Sequence, residues 1–225
     1  VSEVFGRRRH AEEAAAAPVE DAPVPARESG PWDADETYPE RERADLGGLL
    51  LPVGPGFEVQ LNVAGDQIVG AVVLVEESAL QVHAFAAPKR SGIWDEVRAE
   101  LAREVTAAGG SCEERPGPFG PELAARISQD GALQPVRFVG VDGPRWFLRG
   151  VISGRAVADE TAAKALEDVL RDIVVVRGDQ PMAPKDPIEL RLPAEARQAM
   201  DQQAGEPDRP DLRPFERGPE ISEIR

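Results

Sequence analysis

The sequence predicts an α+β fold, an antiparallel sheet of about six to eight strands with two amphipathic helices packed on it and disordered N- and C-terminal arms. Three observations carry this reading. Apolar and polar residues alternate with period two between 57 and 87 and again between 135 and 153. Each set of strands is followed by one stretch with apolar residues at helical spacing, 92–108 and 159–173. Composition shifts at both ends to Pro-rich, acid-rich sequence with little to bury. The chain of 225 residues therefore divides into an acidic arm over 1–45 with a docking segment at 31–38, a folded domain over 46–180, an extended clasp or edge strand over 181–200, and a disordered tail over 201–225.

In the arm, Pro18, Pro23, Pro25, Pro31 and Pro39 interrupt Ala- and acid-rich sequence, so ordering it gains too little burial to offset the lost chain entropy. Arg7, Arg8 and Arg9 read as a solvated run. Trp32 and Tyr38 are large anchors in this polar setting. They dock on the folded domain or on a partner, and packing within the chain is the preferred reading.

Leu49 to Val53 form a short strand, and Gly54-Pro55-Gly56 breaks it. Phe57, Val59, Leu61 and Val63 alternate with polar residues in a half-buried strand that turns at Gly65-Asp66. Gln67 to Val75, QIVGAVVLV, is a strand covered on both faces. In the next strand, to Ala87, His83 shares a face with Gln81 and Phe85. A lone histidine there is structural rather than a ligand. Ser91 is placed to cap the helix over 92–108, whose apolar stripe includes Ile93, Trp94, Val97, Leu101 and Val105. Lys89 and Arg90 ahead of that N-terminus make a candidate anion site, opposed by Asp95 and Glu96 in the first turn.

Ser111 to Glu114 read as a short strand, 115–121 as a Pro/Gly loop, and 122–127 as a helical turn or two. Gln134 to Gly154 form a hairpin central to the sheet, with Asp142-Gly143 as its turn. Gly140 marks a bulge or the close approach of another backbone. Trp146, Leu148 and Ile152 share one face and should lie under one or both helices. Asp159 caps the second helix, whose stripe is Ala162, Ala165, Leu166, Val169, Leu170 and Ile173; Val174 to Val176 follow as strand. Ile188, Leu190 and Leu192 alternate with charges as an edge strand or clasp.

Charge narrows the function. The chain carries a net −15, distributed as −6 over 1–45, −6 over 46–180 and −3 over 181–225. No segment holds the basic excess that phosphate-backbone binding needs, so nucleic acid is a disfavoured partner. The basic residues are nearly all Arg, with Lys only at 89, 164 and 185, a usage that fits a GC-rich genome. One cysteine, Cys112, makes no internal disulfide, and no run of about 20 apolar residues spans a membrane, so the cytoplasm is the expected location.

Three strings carry a family resemblance: PFGPEL at 118–123, RFVGVDGPRWFLRGVISG at 137–154 and RDIVVVRGDQPMAPKDPIELRLP at 171–193. With them the chain resembles a domain family of unknown function from high-GC Gram-positive (actinobacterial) bacteria, over about residues 30 to 200. The resemblance implies no activity and no catalytic residues.

Catalytic constellations are not found. Cys112 has no evident His partner, and neither GxSxG nor HExxH occurs. His10, His83 and Cys112 do not make a closed metal site, and no cofactor is expected. The reading that remains is a non-catalytic protein-binding or adaptor domain with an unknown protein partner, contacted in this reading through Trp32, Tyr38, Lys89, Arg90, Arg145 and Arg149. One alternative is single-stranded nucleic-acid contact through an Arg/aromatic sheet face built from Arg137, Arg145, Arg149 and Arg155 with Trp146 or Phe147. A second is an enzyme with an unrecognised site. The sequence carries no signature of oligomeric state.

Overall fold

The computed structural model describes residues 28–65, 67–89, 92–129 and 131–193. The readings made on residues 1–27, on Arg90 and Ser91, and on the tail from 194 lie outside these. Along the described chain run β1 (Trp32–Asp33), β2 (Arg43–Asp45), β3 (Leu49–Pro52), β4 (Glu58–Ala64), β5 (Gln67–Val75), β6 (Ser78–Ala86), α1 (Trp94–Ala107), β7 (Ser111–Gly117), β8 (Gly120–Gln129), β9 (Ala132–Gly143), β10 (Trp146–Gly154), a 3₁₀ turn at Arg155–Val157, α2 (Glu160–Asp172) and β11 (Val174–Val175).

β10 is the middle strand of a seven-stranded antiparallel sheet, ordered β4-β5-β6-β10-β9-β8-β7. Its alternation sorts the two cores. Trp146, Leu148 and Ile152 point to one face and are fully buried with Leu80, Val82 and Val139 against Leu166, Val169 and Leu170 of α2. Phe147 points to the other face, where Ile93 and Trp94 at the start of α1, with Val105, pack over Leu123, Val136 and Phe138. The helices therefore sandwich the sheet, one on each face. A small second sheet, ordered β1-β11-β3-β2, closes the α2 side and adds Leu49, Leu51 and Val175 to that core.

α2 begins as its sequence dictates, with the Asp159 carboxylate accepting from the Ala162 amide at 3.0 Å. α1 does not. Its N-cap position is Ile93, which has no side chain able to cap, and the free amides of Ile93 and Trp94 donate instead to the Asp142 carboxylate of β9, at 2.8 and 3.3 Å. Asp142 is consequently not the turn residue expected of Asp142-Gly143. Gly143 pairs with Trp146, and the two-residue turn is Pro144-Arg145, with Arg145 at φ 61°. Gly140 meets no second backbone. A Cβ there would overlap the Trp94 indole, so its bareness lets α1 lie close on the sheet.

The largest correction concerns 115–127. The expected loop and helical turn are β7 and β8, a hairpin paired from Ser111–Arg126 to Gly117–Gly120. The prolines misdirect because Pro116 and Pro121 face each other in the overhang of this hairpin, past Leu123–Phe138, the last pair that β8 makes with β9. In that overhang the outward backbone needs no donor, and proline costs little. The overhang folds toward α2, where Phe119 lies under the Arg171 guanidinium at 5.0 Å.

Residues 185–191 enter the sheet rather than its edge. β5 and β6 pair only from Ala71–Val82 to Val75–Ser78 and then part. Into the gap comes the late segment: Lys185 N donates to Ala86 O, Ile188 N to Ala84 O, Leu190 N to Ile68 O and Arg191 N to Leu46 O. Ile188 and Leu190 are buried there.

Candidate protein-binding face

The sheet's α1 side is unevenly covered. α1 packs mainly over β7, β8 and β9. The cross-strand registers align three further rows on this side: Leu74–Ala79–Ser153, then Val72–Gln81–Val151, then His83–Arg149–Gly140. Val72 and Leu74 are half-exposed and join neither core, whereas their β5 neighbours Ala71 and Val73 are wholly buried on the α2 side. Together with half-exposed Gln81, Phe85 and Val151 they make a mixed apolar and amide surface beside α1.

His83 and Arg149 lie at the junction of this surface with the helix. The His83 ring stacks on Phe85 with centroids 6.2 Å apart, and the Arg149 guanidinium lies 5.3 Å from the centre of the same Phe85 ring. Arg149 Nη2 and His83 Nδ1 are 3.5 Å apart. Gly70 makes room behind the imidazole, since a Cβ there would overlap it. Burial pushes the His83 imidazole down from 6.5 to about 4, with the Arg149 charge acting in the same direction, so the ring is neutral at pH 7. Burial also lowers Arg149 from its ordinary value, against the opposing pull of Glu104 on α1. Arg149 Nε is enclosed and has no acceptor, and among the described residues no carboxylate pairs with this guanidinium.

Among the described residues, the arginines with nearly enclosed side chains elsewhere have a counter-charge, although Arg98 Nε, like Arg149 Nε, lacks a hydrogen-bond acceptor. Arg137 reaches Glu122 and Glu167, both at 2.8 Å, and Glu122 is also held by Arg115 at 2.7 Å. Burial works against the Arg137 charge, but the hydrogen bonds it donates to the two glutamates, with their charge, outweigh it, and its pKa is raised. Arg98 pairs with Asp95 and Glu114, and Arg43 with Asp172.

The residues singled out in the sequence do not converge. Trp32 is buried in the chain's own fold, where β1 pairs in parallel with β11, and the neighbouring Asp33 accepts from the Trp146 indole. Tyr38 is half-buried beneath the Arg43 guanidinium at 5.3 Å. Both anchors thus pack within the chain. Lys89 is exposed, and Arg90 lies outside the described residues. The helix N-terminus they precede already holds the Asp142 carboxylate, which takes the Ile93 and Trp94 amides that an external anion would use. Arg145 sits in the hairpin turn, 3.7 Å from Asp179.

The Arg/aromatic face is also taken apart. Arg137 shares the α2 side with Trp146, Arg149 shares the α1 side with Phe147, and both aromatics are buried. Arg155 is tied to Asp159 at 2.8 Å and to Glu76 at 3.4 Å. What sequence reasoning missed is that Arg149, half-buried with its Nε enclosed, has no counter-charge among the described residues. The sequence shows where the cation is, but not that no carboxylate folds back to it.

No curated protein matches the chain. Among solved structures, the solution structure of cyanobacterial PsbP (CyanoP) from Synechocystis sp. PCC 6803 is similar over 60% of this chain and 91% of that one, at 13% identity and a TM-score of 0.41. Among the described residues no helix is long and apolar enough to cross a membrane. The strings noted above fall within residues 30–199, the span over which the chain matches, and belongs to, the family described as protein of unknown function (DUF3710).

Proposed function

We propose that this chain is a non-catalytic protein-binding or adaptor protein that engages a protein partner through the part of the sheet left open beside α1. The observation that carries the reading is the half-exposed group Val72, Leu74, Gln81 and Val151, continuous across three strands and bordered by an unneutralised guanidinium. Apolar side chains on an antiparallel sheet face are expected to be covered, and those exposed beside a desolvated charge mark interaction surface. Among the described residues this surface brings together no nucleophile and no paired carboxylates. His83 is held neutral by burial and by the Arg149 guanidinium beside it, an environment that fixes an interface better than it transfers protons. We also place the chain in the cytoplasm of a high-GC Gram-positive organism, on its arginine usage and its single thiol.

The test is co-purification with the full chain from its native extract, comparing wild type, a Val72→Glu/Leu74→Glu variant and a Glu113→Gln variant on the far edge strand. Circular dichroism and thermal melting establish that each is folded. A defined protein retained by wild type and by Glu113→Gln, but lost with the charged face, supports the reading. Retention of the same protein by the charged-face variant removes it. A complex that nuclease dissolves would instead favour nucleic acid.

A further inference from the structure

We propose that Arg149 is the anchor for a single carboxylate side chain presented by an extended segment of the protein partner, with apolar neighbours of that carboxylate lying on Val72 and Val151. The inference rests on the binding face proposed above and names the chemistry that the face selects. Its starting point is an imbalance. In a chain with 41 acidic residues and 26 Lys and Arg, a partly desolvated guanidinium without a carboxylate is costly, and Arg43, Arg98 and Arg137, whose side chains are at most 11% exposed, each have one.

The surroundings define what would fit. Phe85 lies against the guanidinium and His83 flanks it on one side, so the ion is held flat and in one orientation. Nε is enclosed, which leaves the Nη1 and Nη2 end as the approach for a bidentate carboxylate. Gln81 in the adjoining row, whose Nε2 lies 3.5 Å from His83 Nε2, presents its amide oxygen to the backbone of the same segment. Val72 and Val151 sit on either side of Gln81 in that row, so apolar residues flanking the carboxylate have surface to cover.

Charge sets the limit at one. Glu104 acts on Arg149 without pairing with it, and Glu96 and Glu100 follow at one-turn spacing on the same helix, where Lys185 holds both at 2.8 Å. A phosphate dianion or a nucleic-acid strand would bring more negative charge to this rim than one guanidinium offsets. An acidic residue between apolar ones brings one charge and the area to match.

The closing experiment uses the full chain and needs no knowledge of the partner. The chain contains two histidines, His10 and His83, so a His10→Gln background leaves the His83 ring as a single reporter 3.5 Å from the guanidinium. Its Cε1–H resonance is followed by NMR during titration with N-acetyl-Val-Glu-Val-amide, the Gln counterpart of that peptide, and inorganic phosphate. The Glu peptide is expected to shift the His83 resonance saturably, with a Kd on the order of a few millimolar. It should also move the ring's titration upward from about 4, because a bound carboxylate offsets the Arg149 charge. Arg149→Met should abolish the response, and Arg149→Lys, which keeps the charge but not the fork, should weaken it about tenfold.

A null result with the Glu peptide overturns the proposal. So does an equal response to the Gln peptide or to phosphate, or a response that survives in Arg149→Met. If Arg149→Met fails to fold, the comparison of Glu and Gln peptides on the His10→Gln protein still decides. Failure here, with the charged-face variant still losing its partner, would leave the binding face standing and remove the carboxylate from it.

Discussion

Arg137 and Arg149 lie on adjacent strands of one hairpin and differ in almost everything that decides what an arginine does. Arg137 faces α2, where Glu122 and Glu167 close on it and Arg115 shares the first of them. Arg149 faces the α1 side, where Glu104 acts on it through space without forming an ion pair. The first is a satisfied buried network, rigid because every member is held by another. The second is a desolvated cation lacking its counter-ion. A fold keeps such a charge at a cost in stability, and sites that carry that cost are where binding is found.

The strongest test of this contrast is Arg137→Met. It leaves Glu122, 2% exposed, with only the half-exposed Arg115 to balance it, and Glu167 without its buried partner. Breaking one side of a buried pair costs about 3–5 kcal/mol. Urea unfolding should show a loss toward the lower end of that range, because Arg115 remains. A change under about 1 kcal/mol would mean that water already screens the network.

Acid should act on the other side of the sheet. The folded-state pKa of His83 is depressed from 6.5 to about 4, so the unfolded chain takes up a proton first. The contribution to stability is complete above pH 6.5 and is lost as the pH falls from 6.5 toward 4, by roughly 3 kcal/mol in all. Thermal melts of wild type and His83→Gln over this window should diverge, with the variant the less acid-sensitive. Parallel curves would place His83 in contact with solvent. In Arg149→Met the divergence should shrink, because one of the two causes of the depressed value is gone.

Asp142→Ala should cost about 1 kcal/mol, the usual loss when a carboxylate cap is removed from a helix N-terminus. Since Asp142 holds the start of α1 and not the Arg149 end of the face, affinity for the Glu peptide should stay within twofold, as read by the same titration.

The smallest effect has the opposite sign. Arg149→Met replaces an unpaired desolvated charge with an apolar side chain of similar length, and should raise stability by roughly 0.5–1 kcal/mol. Two neighbouring arginines would then respond to one substitution with opposite signs. Destabilisation of Arg149→Met by more than about 1 kcal/mol would make Arg149 a structural residue like Arg137.

Much of this contrast can be read from the chain before its fold is known. In a hairpin, residues opposite each other share a face, and moving the turn from Asp142-Gly143 to Pro144-Arg145 shifts the register by an even number, so Arg137 and Arg149 fall on opposite faces either way. The strands of 57–87, the helix stripes and the Asp159 cap are equally legible because each rests on neighbours in sequence. What was not legible depends on distant partners. The Asp142 cap joins residues 49 apart, and Pro116 and Pro121 are tolerated in strands because the neighbouring strand stops short of them. The bareness of Arg149 depends on where all the carboxylates finally come to rest.

The late segment between β5 and β6 also sets an order of events on the ribosome. β1 finds its partner β11 only some 140 residues later, and the parted ends of β5 and β6 are bridged only when Lys185 to Leu190 emerge. At about 5–20 residues per second, Trp32 waits on the order of ten seconds of synthesis before Val174 exists to receive it. Such distant contacts belong to slowly folding chains, whose nascent forms expose apolar strands that other chains can join. The nascent chain is therefore expected to depend on chaperones until its last strands are made, and transcripts ending before residue 190 should yield aggregates rather than a smaller folded domain.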